Sequence, residues 1–279
     1  MSTLTTTTST PRPTLGTGDV GKSYFETDSN KILVWDGTAW NEWNSDLVLT
    51  PGFNNNFSTL LDGTDDYIDC GNDSGLNLTS AFTLSAWVKQ TTADDNMVLF
   101  RRTGANGYQI RLNSGTFNYY GGTGDRNFTT GLTSTTAWYH LVVTHTGSSV
   151  AGYVDGSIAG SSYSESITGV ATADFLIGKH GTSPTNRYFN GYIDEVSVWD
   201  TALSSSAVSD LYNSGTPSDL TGSSNLVGWW RMGDYSGDTD TSGGNPNDGD
   251  TIGTVKNAAN AGTHDGSGSG GALYKTVTP

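Results

Sequence analysis

Cysteine is almost missing from this chain: Cys70 is the only one in 279 residues. A single thiol excludes an intrachain disulfide and any thiolate metal cluster. Set in "YIDCGND" beside strand-forming residues, Cys70 reads as a small buried hydrophobe rather than a nucleophile. Positive charge is also scarce, with 13 Lys and Arg against 28 Asp and Glu, a net charge of −15. Such a surface repels polyanions, which excludes nucleic acid as the expected partner. It favours solubility and can recruit divalent cations. No apolar run approaches the length of a membrane span, so insertion by a helix is not expected. The opening "MSTLTTTTSTPRPT" lacks the hydrophobic stretch of a secretory signal. Synthesis in a cytoplasm, without a standard export route, is the expectation.

What is present is glycine, 37 residues, together with 8 Trp and 13 Tyr, while charged residues make up only 15%. Short apolar runs set among Thr, Ser and Gly describe a loop-rich β protein. The aromatic content is too high for a disordered chain. At this length a fold buries roughly 75% of its unfolded surface, so it needs no disulfide staple.

Residues 1–17 form an extended arm rich in Thr, Ser and Pro. Pro11 and Pro13 favour extended backbone and nothing apolar is there to pack; a partner or neighbouring subunit would order it. Residues 18–46 read as a small β-meander with strands at "YFET", "KILVW" and "TAWNEW", the last two joined at Asp36-Gly37. Trp35, Trp40 and Trp43 are its packing residues. Three short strands bury little alone, so this unit is expected to attach to a neighbour or to oligomerise.

From 47 to 279 the pattern is a series of strands. In "FTLSAWVK" Phe82, Leu84, Ala86 and Val88 alternate with Thr83, Ser85 and Trp87. "YQIRLN" alternates likewise, and "WYHLVVTH" has the continuous apolar character of a central strand. Asp155-Gly156 signals a second tight hairpin. The one helix is expected in "LSSSAVSDLYNSG", capped by a Ser at 204–206, with Val208, Leu211 and Tyr212 on one face and Gly215 ending it. The expected fold class is all-β: a jelly-roll sandwich preceded by an arm and a meander.

The blocks "LLDGTDDYIDCG", "FTLSAWVK", "WYHLVVTHTG", "GYVDGSIAG" and "FNGYIDEVSVWDTALSSSAVSDLYNSG" occur in that order. Over residues 57–215 the chain resembles the laminin-G-like group of concanavalin A-like sandwiches. A later block, "LVGWWRMGDYSGDTDTSGGNPNDGD", resembles what usually opens such a domain. It is expected either to supply a strand from the C-terminal side or to pack as an extra layer. The meander is similar to short modules of bacteriophage fibre and virion proteins.

Some members of this group are glucanases, which place an acid and a nucleophile on one side of a cleft about 5–5.5 Å apart. Strict alternation along "GYIDEVSVWD" puts Asp194 on the face of Val196 and Val198, and Glu195 on the opposite face with Ser197 and Trp199. Asp200 follows the strand. On that geometry no acid pair forms and no catalytic residue is assigned. The resemblance implies that His140 is a packing residue. No G-x-S-x-G turn presents a serine, and "GTGDVG" lacks the lysine and strand of a phosphate loop.

The resemblance implies a structural Ca²⁺ held by Asp62, the Gly63 carbonyl and Asp194. The alternative is that Asp194 accepts hydrogen bonds from loop amides. A weaker metal candidate is Asp238, Asp240 and Ser242, which match the opening of a calcium loop whose twelfth position is Gly249 instead of an acid. For sugar stacking the candidates are Tyr119, Tyr120, Asp125, Arg126 and Asn127, then Trp229, Trp230 and Arg231. The functional expectation is a non-enzymatic bacteriophage virion protein, a head decoration or fibre-like appendage. Capsid or fibre subunits would be its partners, in a homo-oligomer, with the lectin-like domain outward and Pro11, Pro13, Trp35, Trp40 and Trp43 in the attachment region. The alternative is a receptor-binding module for cell-surface glycans, and a glucanase ranks below both.

Overall fold

The computed structural model describes residues 5–7, 23–26, 31–35, 39–42, 53–122, 124–181, 187–259 and 263–279. The chain divides into two compact units, Met1–Gly52 and Phe53–Pro279. In the first, β1 (Thr5–Thr7), β2 (Ser23–Glu26), β3 (Lys31–Trp35) and β4 (Trp40–Glu42) form one sheet in that order. β1 runs parallel to β2, with Thr5 opposite Tyr24, so part of the arm joins the sheet of the meander. The other pairings are antiparallel, and Trp35 faces Trp40. Leu33 is buried and Trp35 half-buried. Pro11, Pro13, Trp43 and the side chain of Trp40 lie outside the described residues.

The second unit is a sandwich. Its strands run β5 (Ser58–Asp62), β6 (Tyr67–Asp69), β7 (Ala81–Gln90), β8 (Asp95–Thr103), β9 (Asn106–Asn113), β10 (Thr116–Tyr120) and β11 (Asp125–Thr129). Next come β12 (Tyr139–Thr146), β13 (Ser149–Val154), β14 (Ser157–Ile158), β15 (Tyr163–Ser164), β16 (Leu176–Ile177) and β17 (Asn190–Trp199). After helix α1 (Ser205–Tyr212) follow β18 (Leu226–Trp230), β19 (Thr239–Asp240), β20 (Ile252–Val255), β21 (Gly266–Ser269) and β22 (Leu273–Lys275). One sheet has the order β14-β13-β12-β7-β17-β5-β22, with β15 on β13 and β18 on β17. The other has the order β11-β10-β9-β8-β16-β6-β21-β20-β19.

The alternation of β7 decides which side faces in. Phe82, Leu84, Ala86 and Val88 are fully buried between the sheets, against Leu99, Ile110, Leu112, Phe117 and Ile177 of the facing sheet. Thr83, Ser85 and Trp87 point the other way and are buried too, because α1 and its neighbouring loops cover that outer face. Ser204 caps α1 by accepting from the Ala207 N–H, and Val208 and Leu211 are its buried residues. The helix ends at Asn213, in the left-handed region at φ 47°, two residues before Gly215. Asp155 and Gly156, at φ 49° and 73°, make the expected hairpin turn between β13 and β14.

The C-terminal block completes the sandwich. β18 pairs with β17, β19 to β21 widen one sheet, and β22 pairs with β5 at the edge of the other. Trp230 is fully buried, stacks on Phe175 at 5.2 Å, and donates from Nε1 to the His264 carbonyl. A fully buried aromatic of this kind contributes roughly 3 kcal/mol by burial.

β17 departs from strict alternation. Asp194 stands opposite Trp87 and Ser197 opposite Ser85, so Glu195 and Val196 together face the single residue Ala86. Glu195 takes φ 46° at this bulge. The extra residue resets the parity. Ile193, Val196 and Val198 all enter the core, while Asp194, Glu195, Ser197 and Trp199 share the outer face. The expectation that Asp194 and Glu195 point to opposite faces, with Asp194 on the side of the valines, is therefore corrected. The spacing of three between Ile193 and Val196 was the available signal, since two interior residues three apart require a slip in a strand.

Candidate functional site

The bulge places two consecutive carboxylates on one face, and their surroundings determine what they can do. Asp194 is fully buried and Glu195 is 4% exposed. Asp194 accepts from Asn55 Nδ2 at 2.9 Å and from the Glu195 N–H at 2.8 Å. Glu195 accepts from Trp229 Nε1 and from Arg231 Nε at 3.2 Å. Phe53 closes the site: it stacks on Trp229, with the Arg231 guanidinium 4.3 Å from its ring centre. Arg231 also donates to the carbonyls of Asn54 and Asp234. Asp234 in turn accepts from the N–H groups of Asn56 and Phe57, both at 2.8 Å. Burial pushes both carboxyl groups up from their ordinary range, and the Glu195 charge raises Asp194 further. Every element here ties residues 53–57 to β17 and β18. No glycosidic bond could reach either oxygen pair, so these acids brace the fold. Asp200 lies beyond the strand and is exposed.

A second constellation resembles catalytic machinery. Ser85 Oγ lies 2.8 Å from His140 Nε2, and Asp155 is close by. Asp155, however, accepts from the His140 backbone N–H and leaves the ring's Nδ1 without a partner. The imidazole is fully buried, stacked on Trp87 and Tyr212, which also stack on each other, and burial lowers its pKa to about 3. It is a packing residue, as the resemblance implies.

The metal candidates are rearranged. Asn190, not Asp194, stands opposite Asp62, and the side chain of Asn190 packs beside Gly63. Asp194 lies four residues farther along β17, about 13 Å away along an extended strand. The set Asp62, Gly63 and Asp194 is thus not brought together. Instead Asp62, Asp65 and Asp66 present carboxylate oxygens within 4.8 Å of one another. Asp62 also accepts from the N–H of Thr64, and Asp66 from that of Asp62. This all-oxygen set is the kind that hard divalent cations take. Asp238 is buried and accepts from the N–H groups of Lys256, Gly233 and Tyr235; burial raises its pKa to about 6. Asp240 accepts from Ser242 Oγ and from the N–H groups of Ser242 and Gly244. Asp238, Asp240 and Ser242 are occupied in shaping their loops.

The sugar-stacking candidates divide by face. Tyr119 and Trp230 are fully buried, and Trp229 lies under Phe53, so none of the three offers a ring to a ligand. Arg126 pairs with Glu165. Tyr120, Asp125 and Asn127 lie on the outer face of the nine-stranded sheet, and the neighbours they meet there went unrecognised in the sequence. The Arg102 guanidinium lies 3.7 Å from the Tyr120 ring centre and donates to Gln109 Oε1 at 2.8 Å. Arg111 donates to Asn118 and Asp125, and Asn118 to Asn127. Farther along, Lys179 Nζ lies 3.7 Å from the Tyr67 ring centre and 5.7 Å from that of Tyr188. His180 packs on Phe100, and Arg187 pairs with Asp95 at 2.7 Å. The backbone of Lys179 bridges to Tyr188, and the His180 N–H donates to the Arg187 carbonyl, which brings these four residues together on the face.

Comparison with solved structures finds proteins similar to this chain. A Bacteroides ovatus protein named as a candidate carbohydrate-binding protein is 21% identical, with a TM-score of 0.56. The match covers 78% of this chain and 61% of that one, so this chain spans less than two thirds of that protein's length. A heptameric pentraxin of Limulus polyphemus is 16% identical, with a TM-score of 0.45, over 57% of this chain and 82% of its own. A domain of an extracellular arabinanase from Geobacillus stearothermophilus, in complex with arabinotriose, is 23% identical with a TM-score of 0.44, over 56% and 76%. Comparison with curated proteins finds no match. The family model described as the concanavalin A-like lectin/glucanases superfamily matches residues 62–209, more than half of the chain, and the chain belongs to that superfamily.

Proposed function

We propose that the chain is a non-catalytic glycan-binding module of the lectin type. The observation that carries this is the contrast between its two polar regions. The acids that a glucanase would need are sealed beneath Phe53, Trp229 and Arg231. The outer face of the nine-stranded sheet instead sets tyrosine rings beside cations and amides. Sugar recognition uses aromatic faces for stacking and polar neighbours for orientation. The name given to the Bacteroides ovatus protein accords with this reading. The test is a glycan array with the whole chain, followed by Tyr67→Ala and Tyr188→Ala. Binding that both substitutions abolish supports the module; release of reducing ends from β-glucans, lost in Glu195→Gln, would replace it with a hydrolase.

The setting we propose is a bacteriophage particle, with the N-terminal unit attached to capsid or fibre subunits in a homo-oligomer and the sandwich outward. Its support is the sequence of the arm and meander. For a structural Ca²⁺ the donors proposed are Asp62, Asp65 and Asp66.

A further inference from the structure

The proposed binding face carries an unusual charge for this protein. The chain has 13 Lys and Arg and a net charge of −15. Arg101 is committed to the carbonyls of Asn72 and Asp73, Arg126 to Glu165, Arg231 to Glu195, Lys256 to Asp265 and Lys275 to Asp248. Four others, Arg102, Arg111, Lys179 and Arg187, gather on the outer face of the nine-stranded sheet. Their acidic neighbours there are Asp95 and Asp125, which serve Arg111 and Arg187. Arg102 and Lys179 have no carboxylate within salt-bridge distance among the described residues; each rests on a tyrosine ring instead. His180 lies among these cations; burial lowers its pKa, Arg187, Arg102 and Arg111 lower it further, and Asp95 opposes them. Three buried polar atoms here lack a partner: Arg102 Nε, His180 Nδ1 and Asp95 Oδ1. Unpartnered buried polar atoms are rare in folded proteins.

Like charges held together at a cost in an otherwise acidic molecule call for an anionic occupant. Resting on the reading of this face as a glycan site, we infer that its ligand is an acidic glycan whose uronate carboxylates are held by Arg102, Lys179 and Arg187. The planar guanidinium fork matches a planar carboxylate in two-point contact. Tyr67, Tyr188 and Tyr120 offer their rings to the sugar between the charges. Asp95, Asp125 and Gln109 accept from hydroxyls. A densely charged polyanion such as a nucleic acid is disfavoured, because the rest of the surface repels it at long range. A glycan with one carboxylate per sugar presents fewer charges and stacks on tyrosine.

The test is isothermal titration of the full chain with a short oligogalacturonate, a neutral oligosaccharide of equal length, and dextran sulfate. The acidic oligosaccharide is expected to bind, with affinity that falls as salt is added. Lys179→Gln and Arg187→Gln, both on half-buried side chains, are each expected to weaken it about tenfold without moving the melting midpoint. Equal binding of the neutral oligosaccharide, lost in Tyr67→Ala but not in Lys179→Gln, would keep the glycan site and overturn the acidic ligand. Binding of dextran sulfate alone would overturn it in favour of sulfate esters. No binding of any of the three would overturn the inference together with the glycan reading.

Discussion

Arg231 joins Glu195 to Asn54: its guanidinium meets the buried carboxylate through Nε and the Asn54 carbonyl through a terminal nitrogen. A cation from the C-terminal block thus fastens the first residues of the sandwich to the strand that carries the bulge. Removing one member of a buried charged pair leaves the other uncompensated, which costs about 3–5 kcal/mol. Urea unfolding of Arg231→Met is expected to show a loss of that order. Adding Glu195→Gln should return part of it, because the orphaned charge goes too. Losses that simply add would show that the two side chains do not depend on each other.

His140 sets the pH response of the outer layer. Its folded pKa is lowered to about 3 by burial, while an exposed imidazole titrates near 6.5. Stability from keeping the ring neutral is therefore whole above pH 6.5 and is lost progressively as pH falls toward 3. By about pH 4.5 the wild type should have lost about 2–3 kcal/mol that a His140→Gln variant retains. The stability gap between the two is expected to be wide at neutral pH and to narrow by that amount on acidification. A gap that stays constant would mean the ring titrates as it does in water.

Gly191 is required at the start of β17. Its φ is 142°, and a Cβ there would lie 2.2 Å from the Lys89 carbonyl oxygen on the neighbouring strand. Gly191→Ala must therefore spread the β7–β17 pairing as well as adopt a strained backbone. A loss of at least about 2 kcal/mol is expected in thermal or urea unfolding. A variant as stable as the wild type would show that the pairing yields there.

The proposed Ca²⁺ donors make a distinguishing prediction. Added Ca²⁺ should raise the melting midpoint, and EDTA should reverse the rise. Asp65→Asn is expected to remove the response, while Asp194→Asn should leave it in place. A midpoint indifferent to both additions would remove the ion from the proposal.

Deleting residues 1–17 removes β1 from the four-stranded sheet of the first unit. The proposed particle attachment is expected to be lost, with the melting transition of the sandwich unchanged. Co-sedimentation of the truncated chain with particles would place the anchor elsewhere.

Much of this fold was legible because it is written locally. The alternation of Phe82 to Val88, the Asp155-Gly156 turn and the Ser204 cap each fix their element within a few residues. The bulge at Glu195 is invisible to strict alternation, although Ile193 and Val196 both need the core. The Ca²⁺ set failed for a related reason: register, set by pairing between distant strands, puts Asn190 opposite Asp62. The cationic face was invisible in sequence because Tyr67, Arg102, Lys179 and Arg187 span more than a hundred residues. They meet only because β8, β16 and β6 lie side by side. Among the sugar candidates, parity decided the outcome: in "NYY" Tyr119 turns inward while Tyr120 and Asn118 turn out.

The placement of β22 bears on how this protein is made. Tyr274 is fully buried, and its strand pairs with β5, more than two hundred residues earlier. While the ribosome still holds that stretch in its exit tunnel, the Ser58–Asp62 edge has no mate and the interior lacks a ring. Closure of the domain must therefore await emergence of Leu273–Lys275 from the tunnel. Products of prematurely terminated translation would display an open edge to chaperones and proteases.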